Sequence, residues 1–439
     1  MDAVNRLQEA IRFPTVSHAD PAETDWTVFL SFGQYLRSAY PLLFERLTYT
    51  PVNDYGLVLH WPGKSQKAPV LLTAHYDVVA ATADGWEHPP FSGEDDGESV
   101  WGRGTLDDKG SLIAILEAAT ELLQEDFLPP NDIYFAFGFD EEVGGALGAQ
   151  QISAFFHEQG IRFRYVLDEG GAVAEGKMMG IAKALAVIGI AEKGNNSFRF
   201  LFRGEEGHAS SPPASTAVGK MAAFIHDVER HPPRARLTET LEQTLLALAP
   251  HKRGAEQLAM QKPRLFSPLI KQILLKNKQT AAMLRTTIAF TMTEGGSGHN
   301  VLPRTASCVA NIRILQGETV ENIRAYLAGF GHKYEIEEIM VNEPTAISAV
   351  DGEGMEHIRQ TIARVFPDAV ALPYLMVGGT DCRYYDSVAD NAYRFLPSRL
   401  SGEELDTMHG RNERISHENF HRMIQFYREF MQNLQSSRE

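Results

Sequence analysis

Asp107 and Asp108 stand side by side in WGRGTLDDKG (residues 101–110), among three glycines and just before an apolar run of helical period. Gly102, Gly104 and Gly110 let the backbone fold tightly around the pair, so the turn itself holds the side chains in place. An acidic pair ahead of a helix can simply cap it or complement its dipole. Three further segments point to chemistry instead. APVLLTAHYDVV (68–79) ends on His75 and Asp77, DIYFAFGFDEE (132–142) ends on Asp140, Glu141 and Glu142, and RYVLDEGG (164–171) ends on Asp168 and Glu169. Side chains of this kind, gathered in one place, can hold divalent cations and move protons.

The elements that must position them follow from periodicity. The run after the acidic pair, SLIAILEAATELLQE, carries Leu112, Ile115, Leu116, Ala119, Leu122 and Leu123 on one helical stripe. The segments ending on His75, Glu142 and Asp168 are nearly continuous in apolar residues, as strands buried on both faces are. Strand and helix alternate, so the expectation is a doubly wound, mostly parallel α/β sheet with right-handed crossovers. Ligands bind beyond the carboxyl ends of such strands, where His75, Asp107, Glu142 and Asp168 all emerge. From about 187 the order becomes strand, helix, two strands, helix and strand, which suggests an inserted ferredoxin-like α+β domain. An extra helical segment at about 234–284 interrupts it. The expected division is therefore 1–186 with 345–439 for the first domain and 187–344 for the second.

With 439 residues, 44% apolar and 22% charged, the chain can bury two full cores. Forty-one basic residues against 57 acidic ones give a net charge of -16, which argues against a polyanionic partner such as DNA. The N-terminal MDAVNRLQEAIRFP is amphipathic and lacks the apolar core of a signal peptide. No run approaches the roughly 18 apolar residues of a membrane span. Cys308 and Cys382 are the only cysteines, too few for a disulfide framework or a thiolate metal site, and a reducing cytoplasm is the expected compartment. The glycines of EEVGGALGAQ have neither the lysine nor the spacing of a nucleotide loop. His417, at the first turn of the last helix, is expected to be exposed rather than a ligand.

LTAHYDVV, GRGTLDDKG, GFDEEVGG, VLDEGG, GHASSPP, NVLP with a later IR, GGTDCR and HGRNE occur in this order. Together they resemble the co-catalytic zinc aminoacylase and carboxypeptidase family over nearly the whole chain. WEHPPFSG, LFSPLI, RTTIAFT and HGRNERIS are similar to the carboxypeptidase S branch and its relatives that make and cleave N-fatty-acyl amino acids. The resemblance implies one metal on His75 and Asp168, a second on Glu142 and His409, and Asp107 bridging the two. Imidazole and carboxylate without thiolate suit Zn, and also Mn or Co, at a hydrolytic site. Asp77, on the same strand face as His75, can accept the imidazole's other N–H. The resemblance further implies a cis peptide between Asp107 and Asp108. Glu141 and Glu142 are adjacent and diverge, so one can ligate while the other faces substrate; the family makes Glu141 the general base that deprotonates a metal-bridged water.

His208 matches the family histidine that donates to the developing oxyanion, and Asn300 and Arg313 match positions that hold a free substrate carboxylate. Gly378, Gly379, Thr380 and Asp381 look like the loop closing the substrate end. In many relatives the histidine serves the site of another subunit, so a homodimer through the inserted domain is implied. The expected activity is hydrolysis of an amide beside a free carboxylate, of carboxypeptidase or aminoacylase type. A non-catalytic carrier of metal or acyl amino acid, and a dedicated biosynthetic deacylase, are the competing readings.

Overall fold

A computed structural model describes residues 2–435. The chain divides into one unit of Met1–Ile190, Ile347–Tyr374 and Thr380–Glu439, and a second of Ala191–Ala346 with Leu375–Gly379.

The first unit is built on a sheet in the order Thr48–Val52, Gly56–Trp61, Ile133–Gly138, Val70–His75, Tyr165–Asp168, Ala392–Arg394, Ala184–Glu192 and Ala369–Met376. Its centre is parallel: Val70–His75 lies between Ile133–Gly138 and Tyr165–Asp168, and Ala392–Arg394 continues in the same sense. Antiparallel strands extend it on both sides. The doubly wound, mostly parallel sheet read from the sequence is thus present at the centre, where the chemistry-bearing strand ends lie.

Both faces of this sheet are covered. Val70, Leu72 and Ala74 pack into one apolar cluster with the helices Ala3–Ile11, Trp26–Ala39, Lys109–Gln124 and His417–Gln432, while Leu71 packs with Ile152, Phe156 and Tyr385 in another. This period-two division of a fully apolar strand is what burial on two sides requires. Pro41 ends one helical run at Ala39 and starts the next, Pro41–Arg46, at a first-turn position where its missing N–H costs nothing. The last helix starts with Ser416 accepting from the Asn419 N–H.

The second unit holds a four-stranded antiparallel sheet ordered Thr287–Gly295, Thr305–Ile314, Gly194–Arg203, Glu335–Met340. Phe198, Phe200 and Phe202 alternate inward against Phe224 of the helix Ala217–Arg230 and Ile323 of the helix Val320–Ala328. This is the strand and helix order of a ferredoxin-like sandwich. The strand expected from about 187 is two strands, Ala184–Glu192 in the first sheet and Gly194–Arg203 in the second. The interruption at 234–284 contains the helices Glu239–Leu248, Gly254–Gln261, Ser267–Leu274 and Lys278–Ala282.

Candidate metal centre

The Gly-rich turn is organised by a residue that sequence reasoning left unassigned. Glu413 is fully buried, and its carboxylate accepts from the backbone N–H groups of Gly104 (3.0 Å), Leu106 (2.9 Å) and Asp107 (3.3 Å), while also pairing with the Arg103 guanidinium. One carboxylate therefore ties the segment carrying Asp107 to the segment carrying His409. Gly104 has a left-handed φ of 92°, and a β-carbon there would stand 2.8 Å from Val78 Cγ1. Lys109, also buried, donates from Nζ to the carbonyls of Ala10 (3.1 Å) and Phe13 (2.5 Å), fastening the end of the first helix to the same turn. The peptide between Asp107 and Asp108 is cis.

Around this turn the side chains converge. Asp107 Oδ1 lies 3.0 Å from His75 Nε2, and its Oδ2 lies 2.9 Å from His409 Nε2. Each oxygen of one carboxylate thus faces a different imidazole, the arrangement a bridging ligand needs. His409 Nε2 is also 3.2 Å from Glu142 Oε2, so Asp107, Glu142 and His409 form one triplet able to hold an ion. His75 and Asp107 form a second triplet, with Glu169. Asp168, expected beside His75, is not in that triplet. Glu169 Oε1 is 3.6 Å from His75 Nε2, while Asp168 ends its strand in register with Arg394. Successive side chains at a strand end diverge, so a single step along VLDEGG decides which carboxylate faces the imidazole.

Asp77 is the hub behind these groups. Its Oδ1 accepts from the Glu141 N–H and its Oδ2 from the Glu142 N–H, both at 3.1 Å; Oδ2 also accepts from Ser17 Oγ at 2.6 Å. His75 Nδ1 is 3.0 Å from the Asp77 carbonyl oxygen and 3.2 Å from Asp77 Oδ1. Two acceptors fix Nδ1 as the protonated nitrogen and leave Nε2 free to ligate. Beyond Glu142 the neighbours divide. Glu142 joins His409, whereas Glu141 Oε1 is 3.3 Å from the Arg383 guanidinium. Asp381 is buried close by; a β-carbon at Gly138 would stand 2.4 Å from its Oδ2, so only glycine leaves room for this carboxylate.

The electrostatics of the cluster call for cations. Burial pushes Glu141 well above the usual carboxylate range against the pull of His75, with Asp381 and Glu169 raising it further. Burial, then the Asp107 charge, pushes Glu169 up to about 8 and raises Glu142. Asp381 is raised by burial and by Asp168. For Asp107 burial acts upward too, but hydrogen bonds from His409 and His75 hold it below its ordinary value. Those same contacts with Asp107 and Glu142 raise His409 to about 10. Glu142 Oε1 is buried without a hydrogen-bond partner among the described residues. So dense a set of carboxylates can be ionised together only beside positive charge, and an imidazole–carboxylate donor set with an unsatisfied ligand oxygen fits a pair of divalent ions.

The remaining predicted residues belong to the second unit, apart from Thr380, which is buried in the first. His208 and Asn300 are brought together: His208 pairs with Val301, and the Ala209 N–H donates to the Asn300 carbonyl at 3.0 Å. His208 Nδ1 accepts from the Ser210 N–H at 3.1 Å, which leaves Nε2 available as a donor. Arg313 is elsewhere, near the far end of Thr305–Ile314, with Nε donating to Asn311 Oδ1 at 3.0 Å. Gly379 ends the short stretch Leu375–Gly379 of the second unit. His417 is half-buried rather than exposed, with Nε2 2.9 Å from Asp95 Oδ1. Glu169, Arg383 and Glu413 were missed. Glu169 stands in the quoted VLDEGG and Glu413 in HGRNERIS, but a charged residue's type carries no sign of its burial.

Two imidazole–carboxylate triplets sharing Asp107 at the carboxyl ends of a parallel sheet are the ligand set of a co-catalytic metal hydrolase. The model of peptidase family M20/M25/M40 matches residues 71–433, and the chain belongs to this family. It is accordingly a metal-dependent enzyme that hydrolyses amide bonds. The chain is 33% identical over 443 residues to the probable carboxypeptidase S-like 2 of Dictyostelium discoideum, covering 99% of this chain and 85% of that one. It is equally 33% identical over 442 residues to the N-fatty-acyl-amino acid synthase/hydrolase PM20D1 of Mus musculus, covering 99% and 88%. The M20 family metallo-carboxypeptidase Sso-CP2 from Sulfolobus solfataricus has the same fold, with a TM-score of 0.75 at 17% identity over 98% of this chain and 99% of that one.

Proposed function

We propose that this chain cleaves the amide of a peptide or N-acyl amino acid bearing a free carboxylate, with Glu141 as general base. The observation that carries this is the divergence of two adjacent glutamates. Asp77 anchors both backbones, yet Glu142 turns to His409 and Asp107 while Glu141 stays outside that triplet, beside Arg383. His75, Asp107, Glu142, His409 and a carboxylate from Asp168 or Glu169 would hold the ions, Zn being the first choice and Mn or Co the alternatives. Bound there, two divalent ions polarise the scissile carbonyl and acidify water. Glu141 takes the proton of the attacking water and passes it to the departing amine. The Nε2–H of His208 is suited to the developing oxyanion, and Asn300 and Arg313 to the substrate carboxylate. Gly379 and Thr380 would border the substrate end of the pocket.

Catalysis across a homodimer is part of this reading. Arg313 is eight residues along its strand from Thr305, roughly 26 Å at 3.3 Å per residue. His208 and Asn300 lie beyond the Thr305 end. A scissile carbonyl stands only about 4 Å from the neighbouring carboxylate, so Arg313 and His208 of the same chain do not serve one substrate. That separation supports a reading in which His208 and Asn300 act in the site of a second subunit. The names of the relatives above favour an acyl amino acid or a peptide with a free carboxyl terminus. Cys308 and Cys382, both buried free thiols, agree with a reducing cytoplasm as the working compartment.

The test is amine release by zinc-loaded protein from short- and long-chain N-acyl-leucine, N-acyl-phenylalanine and dipeptides, each also as its C-terminal amide. Cleavage of the acids and not of the amides supports carboxylate recognition, and the chain-length trend separates acylase from carboxypeptidase. No cleavage with two metals bound overturns the assignment in favour of a carrier or a dedicated deacylase.

A further inference from the structure

The helical interruption of the second unit has a surface unlike the rest of the chain. In a protein of net charge -16, no acidic residue occurs between Glu256 and Glu294, while Lys262, Arg264, Lys271, Lys276, Lys278 and Arg285 all do. Among the described residues no carboxylate is ion-paired with Lys262, Lys271, Lys276 or Lys278; Arg264 alone of the exposed bases pairs, with Glu242 at 2.8 Å. The same stretch exposes large apolar side chains. Leu265 is 70% exposed, Leu269 50% and Ile273 55%, and Leu258 is exposed as well.

Three of these residues share one face. Leu265, Leu269 and Ile273 follow at four-residue spacing along the helix Ser267–Leu274 and its entry turn, one position out of phase with Phe266, Ile270 and Leu274, of which Ile270 is buried. Lys262 precedes the stripe by three residues and Lys276 follows it by three. The inner stripe accounts for folding, which leaves the outer one with no structural role inside the chain. An exposed aliphatic ridge bounded by unpaired lysines is complementary to one surface above others: negative charge in a plane, with hydrocarbon just beneath it.

We propose that the helical segment 258–278 docks this protein onto the surface of an anionic lipid bilayer, with Leu265, Leu269 and Ile273 entering the headgroup boundary and Lys262, Lys276 and Lys278 pairing with lipid phosphates. The strong acidity of the remaining chain turns the other surfaces away from such a membrane, so the charge pattern also orients the docking.

Flotation of the full-length protein with vesicles of phosphatidylcholine alone, or mixed with phosphatidylglycerol, tests it. The protein should float with the mixed vesicles and not with the neutral ones, and raised salt should release it. Each lysine at an anionic surface is worth about fivefold in partitioning, so Lys262→Gln with Lys276→Gln should weaken binding about 25-fold. Leu265→Ser with Leu269→Ser should weaken it by more than about tenfold. Far-UV circular dichroism and cleavage of a short-chain, water-soluble substrate should be unchanged in both variants. Equal flotation with neutral and anionic vesicles, or no flotation with either, overturns the proposal. So does a Leu265→Ser, Leu269→Ser variant that binds vesicles normally but has a raised KM for long-chain substrates alone, since the ridge would then receive the substrate's acyl chain.

Discussion

Asp77→Asn should weaken metal binding and slow turnover without unfolding the protein, and the size of the effect can be worked from its contacts. The two carboxylate oxygens face four donors: the N–H groups of Glu141 and Glu142, the Ser17 hydroxyl and His75 Nδ1. An amide replaces one acceptor oxygen with an NH2 group. Whichever way it turns, that group meets a backbone N–H, because each oxygen accepts one. Each oxygen also faces a second donor, His75 Nδ1 or Ser17 Oγ, so at least one charge-assisted hydrogen bond, worth about 1.5–3 kcal/mol, is lost, and the N–H left facing a donor belongs to the proposed base or to the neighbouring ligand. At about 1.4 kcal/mol per tenfold this corresponds to roughly 10- to 100-fold in metal affinity, the usual range for residues supporting a ligand. Competition with a chromophoric chelator measures the affinity, and circular dichroism confirms the fold. Ser17→Ala is the control: it removes one donor from the same carboxylate and should cost only about 0.5–1.5 kcal/mol. Equal metal affinity in Asp77→Asn and the unaltered protein would refute the role of Asp77 as the hub behind both glutamates.

Other expectations follow from the same geometry. Glu141→Gln should retain two metals by elemental analysis while kcat/KM falls about 100- to 10,000-fold; activity within a few fold of the unaltered enzyme would remove it as the base. Of Asp168→Ala and Glu169→Ala, metal stoichiometry should drop in the variant whose carboxylate shares the first ion with His75, and the observed triplet predicts Glu169. His357, buried against Phe430 and Tyr165, is held down to about 4, first by burial and then by Arg164. Its folded value lies below the ordinary 6.5, so the unfolded chain takes up the proton first. Stability present above about pH 6.5 is therefore lost as pH falls towards 4, by about 3 kcal/mol at 1.36 kcal/mol per unit. His357→Gln should flatten that part of the stability profile relative to the unaltered protein; an unchanged slope in urea unfolding would show that another group titrates there.

How much of this was legible beforehand varied with the kind of signal. Apolar runs ending in His75, Glu142 and Asp168 announced parallel strands because burial on both faces leaves no polar position until the strand stops. The helix after Asp107 and the last helix were equally plain, since a 3.6-residue period in leucines and phenylalanines admits one face. Ligand type was readable too: histidine and carboxylate without cysteine indicate a hydrolytic metal centre before any coordinates exist.

What the chain alone left open was settled by directions in space. Whether Asp168 or Glu169 faces His75 depends on how a strand end turns, a half-pleat that two adjacent acids do not encode. Glu413 lies roughly 300 residues from the turn it holds, and nothing local separates it from the exposed glutamates around it; burial among three N–H groups and Arg103 is a property of the assembled fold. The distance along Thr305–Ile314 between Arg313 and the His208 hairpin likewise follows from strand register. Residue types and periodicity thus determined which elements form and what chemistry their ends can support. Only tertiary structure decided which neighbouring carboxylate stands beside His75, because choosing between adjacent side chains requires the backbone's orientation as well as its order.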